Sequence, residues 1–523
     1  MKRIILTFAF ASVVIISFSQ TFEWLRPVEV DYNYNPEMIN YSIATDAQEN
    51  SYLFGTKEHI EFYIGSYGQL FIQKYDTDGN QLWMNIIHGL GMTKGSVCDA
   101  YGNLYIIGNH RSNLNFWDDD SLLYSGNAIN SFFAKVLADG SLAWAINMNN
   151  LYPETSDIND IVADENGNIL LGISSWPDSY VTKFSPDGTI ISEIMQTTAG
   201  FLSGIDIDES GNIVTTGSCS GTESLFGGVN YITPFGYSMY LAYYDTDGYP
   251  LWVEFAEDVT CIFPKVKFDA LGNIFWTGSL NIAATFGSIQ SGGPNWVYDF
   301  FLTKVSPTGN FEWVFEVPEI ITGDALSGKI TPLDFTSEGN VVIGGFTRGS
   351  IDWGNNVVSA ADNYYDLLTM EINSQGEAVW VKTAGGNFYD NVHGLAVSDL
   401  GNIFIAGISG DTVNFDTITY QSDQFFYPFI AKIDNDNITD IENPGPAQQT
   451  LSIYPNPAID FIYLDQEGLS TVRIYNSTGL LVLEVRLGHG QRQINVSDLS
   501  AGIFFVSALT ENNSIYQGRF IKR

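Results

Sequence analysis

The chain has 523 residues, with 60 Asp and Glu against 22 Lys and Arg, five His, three Cys and a formal net charge of −38. That balance argues against nucleic acid and anionic lipid as partners, because both are held by clustered Lys and Arg. So few scattered His and Cys rule out a Cys/His zinc framework. Aromatics at 14% and 50 glycines favour strands and turns.

The N-terminus reads as a targeting segment. Lys2 and Arg3 precede an apolar stretch, Ile4 to Phe18, that is shorter than the roughly 20 residues of a membrane span. Ser17 and Ser19 stand at −3 and −1 of a cleavage site, which predicts a signal peptide over 1–19 and a mature start at Gln20. No Cys follows to carry a lipid, and no later segment is apolar for long enough to span a bilayer.

From residue 20 to about 440 two patterns alternate. The first is Gly-Asn followed by an apolar strand, at Gly102, Gly167, Gly211, Gly272, Gly339 and Gly401, with a weaker copy at Glu49-Asn50. The second is a strand of Phe-x-x-Lys type, a tight turn and usually a Trp strand. Its turn glycines are Gly79, Gly140, Gly188, Gly248, Gly309 and Gly376, and a last copy from Phe429 stops before its Trp strand. A period near 60 residues with four strands per unit predicts a propeller rather than a helical solenoid. Asp-Gly between alternating strands predicts two-residue type I′ hairpins. Each unit then runs from an inner strand to the Gly-Asn strand, the Phe-x-x-Lys strand and an outer Trp strand. The seventh unit lacks its outer strand, and Thr21 to Leu25 has that pattern with no unit before it. Trp24 is therefore expected to close the ring and remove its open edge. These units resemble the SBBP-type β-propeller repeats of bacterial secreted proteins, a likeness that implies a fold and leaves function open. The expected fold class is all-β: a seven-bladed β-propeller over 20–440 closed by an N-terminal strand, followed by a small Ig-like β-sandwich.

The strand order sorts the loops. Inner-to-second loops and Asp-Gly turns are short and share one face, whereas second-to-third loops and the links between units are long and share the other. Binding residues sit preferentially on variable loops held by a rigid scaffold, so the long-loop face is the expected ligand face. Phe116, Phe226, Phe286, Trp353 and Phe415 recur there and are expected to pack extra hairpins. Trp83, Trp144, Trp252, Trp313 and Trp380 recur in the outer strands and are expected to be structural. The non-repeated remainder is Trp117, Asp118, Asp119 and Asp120 in one loop, Trp176 in the third unit, His110, Arg111 and Arg348. Trp117, Asp118, Asp119, Asp120, Trp176 and Arg348 are the ligand-binding candidates, since aromatic faces beside carboxylates hold sugar rings. No GxSxG elbow or HExxH motif is present, and no catalytic residue is assigned. With so many acidic residues, a carboxylate pair for glycoside cleavage cannot be picked out. No cofactor or metal is expected, with weak calcium binding at the acidic turns as the one alternative. Asp76-Thr77-Asp78-Gly79 and Asp245-Thr246-Asp247-Gly248 begin like calcium loops but lack the distal Glu, so hairpin turns explain them. Cys98, Cys219 and Cys261 read as buried small side chains.

Residues 441–450 read as a linker and 451–523 as a separate module of seven short strands, Leu451 to Tyr454, Phe461 to Leu464, Thr471 to Tyr475, Leu480 to Val485, Gln493 to Val496, Ile503 to Ala508 and Ile515 to Ile521. Four motifs occur in order: Tyr454-Pro455-Asn456-Pro457, Asn476-Ser477-Thr478-Gly479, Leu499 to Val506 with Gly502, and Arg519 to Arg523 with Phe520 and Lys522. The module resembles the type A C-terminal sorting domain of the Bacteroidetes type IX secretion system. The resemblance implies a type IX outer-membrane translocon and a sortase as partners, passage through the outer membrane, removal of the domain and attachment to surface lipopolysaccharide. Two classes then compete for the passenger. One is a secreted or surface-attached interaction protein for a glycan or a protein. The other is a secreted polysaccharide hydrolase or lyase on a propeller scaffold, which clustered carboxylates of perturbed pKa would favour.

Overall fold

The computed structural model describes residues 20–29, 39–61, 67–117, 120–126, 130–152, 156–257, 264–293, 298–318, 323–361, 364–422, 426–434, 449–451, 453–466, 468–475, 481–488, 490–497, 499, 502–510 and 515–523. The expected signal peptide, Asp118, Asp119, Cys261, residues 443–448 and the turn from Asn476 to Gly479 lie outside them. The chain divides into two compact units, Met1–Asn437 and Ile438–Arg523. Among the described residues one 3-10 turn, Met148–Asn150, interrupts an otherwise all-β structure.

The strands of the larger unit pair antiparallel in runs of four. Sheet 1 holds Ser42–Thr45, Ser51–Glu61, Tyr67–Tyr75 and the start of Gln81–Cys98; sheet 2 continues from that long strand through Leu104–His110, Asn130–Val136 and Leu142–Asn147. Sheet 3 is Asp157–Ala163, Ile169–Ser175, Asp178–Phe184 and Ile190–Thr197, and sheet 4 is Phe201–Ile207, Ile213–Ser220, Tyr237–Tyr244 and Pro250–Glu257. Sheet 5 is Lys265–Phe268, Ile274–Leu280, Asp299–Val305 and Phe311–Glu316. Sheet 6 starts with Gly323–Ser327 and Leu333–Phe335, then runs through Val341–Asp352, Asp366–Ile372 and Ala378–Gly386. Sheet 7 is Asn391–Val397, Ile403–Ser409, Tyr427–Asp434 and the N-terminal Thr21–Pro27. The first strand of every sheet lines one shared cavity, which makes the unit a β-propeller arranged around an axis. The N-terminal strand closes sheet 7 as expected, with Phe22 opposite Ile433 and Trp24 opposite Lys432.

The hairpin turns differ from the expected type I′. The Asp76 carbonyl accepts from Gly79 N–H at 3.0 Å and the Asp76 N–H donates to Asn80 O at 2.9 Å. Gly79 has φ 74°, while Asp78, Asp139, Asp187 and Asp247 are not among the positive-φ residues. The turn is therefore a type I turn followed by a glycine bulge, the other common hairpin solution. The cause is local: Asp76 Oδ1 accepts the N–H groups of Asp78 and Asn80 at 3.1 and 2.7 Å, which holds the turn right-handed until the glycine. The Gly-Asn sites use the same loop, with Asp99 receiving Tyr101 and Asn103 N–H at 3.0 and 2.9 Å. The two sequence patterns are one turn used at both ends of a sheet.

Two further contacts recur. The aspartate that caps the Gly-Asn turn pairs with the lysine of the third strand, Lys74 with Asp46 at 3.2 Å and Lys183 with Asp164 at 2.7 Å. The outer-strand indole N–H reaches the next sheet's hairpin turn: Trp24 to Thr77 O at 3.1 Å, Trp83 to Ala138 O at 3.3 Å, Trp144 to Pro186 O at 3.3 Å, Trp252 to Pro307 O at 3.0 Å and Trp313 to Ser374 O at 3.1 Å. These tryptophans fasten sheet to sheet, which accounts for their recurrence.

The smaller unit is a two-sheet sandwich. One sheet orders Gln449–Thr450, Ile515–Lys522, Gly502–Thr510, Leu469–Tyr475 and Leu481–Arg486; the other orders Ile453–Tyr454, Phe461–Leu464 and Gln493–Asn495. Ile453, Ile462, Leu464, Val472, Ile474, Val506 and Phe520 share the core between them. The first expected strand is split, so that residues 449–450, placed in the linker by sequence, pair with Tyr516 and Gln517.

Candidate functional site

The axial cavity has a volume of about 250 Å³. An innermost strand presents its unpaired backbone groups to it, and these need partners. Three aspartates supply them from one sheet to the next. Asp160 accepts Ile205 N–H at 2.9 Å, Asp206 accepts Phe268 N–H at 2.7 Å, and Asp334 accepts Val397 N–H at 2.8 Å. Two lysines complete the wall: Lys265 pairs with Asp160 at 3.1 Å and donates to Asn159 O at 3.0 Å, and Lys267 pairs with Asp334. Burial pushes Asp206 up to about 7, against the attraction of Lys267. Burial likewise raises Asp160 and lowers Lys265, each opposed by the other's charge. Lys267 ends above its usual range because Asp334 and Asp206 outweigh its desolvation.

These five residues escaped the sequence reading, yet a signal existed. Five residues before the turn glycine (or its Glu49 equivalent) the repeats carry Ala44, Val97, Val162, Asp206, Lys267, Asp334 and Ala396. Seven before it they carry Ser42, Gly95, Asp160, Gly204, Lys265, Pro332 and Gly394. Charges at repeat positions that are otherwise small or apolar mark sheets 3 to 6, while sheets 1, 2 and 7 leave a neutral wall. Gly204 is needed there: a Cβ would meet Lys265 Cα and Pro264 O at 3.1 Å.

On the long-loop face the recurring aromatics are architecture. Phe116, Phe226, Phe286, Trp353 and Phe415 are buried. Phe226 and Phe415 sit in hairpins, Glu223–Phe226 with Val229–Ile232 and Thr412–Phe415 with Ile418–Gln421, that add to the preceding sheet's outer strand. Sheet 3 has no such hairpin. Its second and third strands join through Trp176-Pro177 alone. Trp176 is 72% exposed. Its ring rests on the Gly200 backbone, where a Cβ would meet Trp176 Cε3 at 2.9 Å and Pro177 O at 2.8 Å. Thr198 follows the outer strand of sheet 3, its N–H bound to Asp178 at 3.1 Å and its hydroxyl donating to Glu223 O at 3.0 Å. Glu223 accepts Asn230 Nδ2 at 2.9 Å, and Tyr237 is exposed on the same edge. An exposed indole thus borders the Gly200 backbone, two residues past Thr198, whose hydroxyl ties this edge to the Glu223 carbonyl of the adjoining hairpin.

The other candidates are not gathered with Trp176. Trp117 packs in part against the core of sheets 1 and 2, edge-on to Phe116 at 5.8 Å, and its indole N–H finds no acceptor among the described residues. Asp120 is exposed, and its carbonyl closes the loop onto Phe116 N–H at 2.8 Å. Arg348, in sheet 6, bonds Asp324 at 2.9 Å with its guanidinium 5.0 Å from the centre of the Tyr365 ring. Nearby Asp390, fully buried, accepts from Ser409 Oγ, Gly410 N–H and Gly386 N–H, and burial still pushes it up to about 7. His110 is buried with Nδ1 2.8 Å from Ser112 O, and Arg111 lies over Tyr67 at 5.0 Å. Cys219 is buried, and Cys98 lines the axial cavity with its thiol raised by burial. Among the described residues no group of three or more His, Cys, Asp or Glu is arranged to hold a metal. The Asp76 carboxylate is taken up by its own turn and lowered chiefly by the Asn80 side chain.

In the smaller unit the sorting-motif residues converge on the chain end. Asn456 Oδ1 accepts Ile521 N–H at 2.9 Å and its Nδ2 donates to Arg519 O at 3.2 Å. The peptide bonds before Pro455 and Pro457 are cis. Gly502 pairs with Lys522, and Phe520 is buried against Phe504 with ring centres 5.5 Å apart. Tyr454 is exposed and stacked on Tyr463 at 5.8 Å.

Residues 452–523 match the family model described as a secretion system C-terminal sorting domain. The smaller unit is a type IX sorting domain, and the protein is secreted or attached to the cell surface. No helix among the described residues is long and apolar enough to cross a membrane. No curated protein matches the chain. Among solved structures the chain is similar to the Dos1 propeller, at 8% identity over 78% of this chain and 95% of that one, TM-score 0.38. It is similar to the Neurospora crassa Pan2 WD40 domain, at 10% identity over 79% and 95%, TM-score 0.41. A PL25 ulvan lyase is similar at 12% identity over 77% and 95%, TM-score 0.39. Likeness at this level says nothing of what this chain binds.

Proposed function

We propose that residues 20–440 are the passenger of a secreted surface interaction protein, a ring of seven blades formed by sheets 1 to 7, delivered after loss of a 1–19 signal peptide. Its ligand is a glycan bound on the long-loop face at sheet 3. The observation that carries this is Trp176, a large indole left exposed on a rigid turn in the one described sheet whose second and third strands join by two residues. A pre-ordered aromatic face loses little freedom on binding, and nearby Asp178, Glu223 and Asn230 supply acceptors and a donor for sugar hydroxyls. Trp117, Asp120 and Arg348 lie with other sheets and are accessory to it.

The test mixes the full chain with a panel of soluble and insoluble polysaccharides and records both depletion of protein and release of new reducing ends. Depletion without new ends, weakened roughly tenfold or more by Trp176→Ala as for a binding hot spot, supports the reading. New reducing ends would instead identify a hydrolase or lyase. Depletion untouched by Trp176→Ala would move the site elsewhere on the face.

A further inference from the structure

The sorting unit has two outer faces of different chemistry. On the three-stranded sheet, side chains alternate strictly: Ile453, Ile462, Leu464 and Ile494 point inward, while Tyr454, Phe461, Tyr463, Gln493 and Asn495 are exposed. Pairing sets Tyr454 opposite Tyr463, Tyr463 opposite Gln493 and Phe461 opposite Asn495, so the five form one contiguous patch. Three of the five are aromatic and none is charged, in a chain of net charge −38. Exposed aromatics on a solvent-facing strand cost solubility unless a partner covers them. The five-stranded sheet also exposes Phe505 and Ile521, but Arg519 stands between them in the register.

We infer that the Tyr454–Phe461–Tyr463 face is the surface by which the sorting unit docks on the type IX export machinery, against an apolar, uncharged groove of that machinery. The motif geometry supports it. Tyr454 belongs to the patch, while Asn456 two residues on is bound to the last strand through Ile521 and Arg519. Ala458 donates to Ile521 O at 2.7 Å and receives Arg523 N–H at 2.9 Å. The motif is thus a clamp that fixes the aromatic hairpin against the chain end, and an exposed hairpin gains from such fixing when it must present one rigid surface. This inference is independent of the glycan reading, which concerns only the larger unit.

The experiment expresses the full chain in a host with a type IX system and compares exported with periplasmic protein. Phe461→Ser with Tyr463→Ser should lower the exported fraction roughly tenfold or more, the loss expected when hot-spot contacts are removed. Val482→Ser, on the five-stranded sheet and outside the four motifs, should leave export within about twofold of the parent, the size of effect expected of residues outside a hot spot. Gln493→Lys with Asn495→Lys keeps every aromatic but puts charge on the same face, and should also block export. The thermal transition of periplasmic protein checks that each variant folds. Normal export of the lysine variant, or equal losses from both serine variants, would overturn the inference.

Discussion

Asp206 and Asp390 are carboxyls that burial lifts to about 7 in two places, the axial cavity and the junction of sheets 6 and 7. Both would titrate near 3.9 in the unfolded chain. Between those limits the folded protein holds more protons than the unfolded one, so each group favours folding at low pH and opposes it once pH rises through the folded value. The expected result is a thermal transition that falls between pH 5 and 8. General repulsion in so acidic a chain acts the same way, so the test is comparative. Asp206→Asn keeps the acceptor for Phe268 N–H and removes the ionisation, and should flatten the pH dependence by about 1–3 °C across that range. A variant that follows the parent at every pH would show that Asp206 is ionised throughout. Trp176 is the opposite kind of residue: its replacement by Ala should leave the transition within about 1 °C, because an exposed side chain carries little folding energy.

At the level of the element, the repeated turn brings two constraints together in one glycine. Gly376 has φ 79°, and a Cβ there would meet the Trp313 indole at 2.7 Å. Gly376→Ala should therefore cost about 1–3 kcal/mol, from backbone strain and a displaced indole, measured as a lowered midpoint in urea. Gly401 has φ 89° and open space around it, so alanine there tests the backbone alone and should cost less. Sheet 6 offers a second test. Where sheets 1 to 3 pair a capping Asp with a third-strand Lys, sheet 6 has Thr336 and Glu371, and Glu371 receives Asn340 Nδ2 and Trp380 Nε1, each at 2.6 Å. One carboxylate is kept near that turn while its position moves. Glu371→Lys alone should destabilise, and Thr336→Asp should restore part of the loss, a coupling of about 1–2 kcal/mol by double-mutant cycle. Such regularities explain what the sequence could disclose. Strand order and closure by Trp24 rest on local patterns, alternation, turn glycines and a missing Trp strand, that survive without coordinates. The turn type was misread because Asp-Gly is shared by two hairpin solutions and the choice falls to a side-chain bond from Asp76. The charged wall of Asp160, Asp206, Lys265, Lys267 and Asp334 went unread because only closure of the ring brings strands from sheets 3 to 6 to a common axis. Trp176 stood out as unrepeated, but its exposure depends on the absence of a hairpin above it.

Taken as a whole, the larger unit depends on its two chain ends meeting. Phe22 N–H donates to Asp416 Oδ2 at 3.0 Å across a separation of 394 residues, and Lys382 reaches Asp416 at 2.6 Å beside it. Removing residues 20–27 should expose the Tyr427–Asp434 strand as a sheet edge and bare the Thr77 carbonyl that Trp24 holds. The expected outcome is a lower thermal transition and concentration-dependent association by light scattering, and addition of a Thr21–Pro27 peptide should reverse both in part. Closure also sets an order of events during synthesis. The N-terminal strand is the first of the passenger to be made and must wait, unpaired, for residues 427–434, the last of it. A chain broken anywhere before that point has neither a finished ring nor the sorting domain, which matches only from residue 452 onward. Completion of the fold and possession of an export address therefore coincide within one stretch of the chain, so a ribosome that stalls early yields a product that can neither close nor leave the cell.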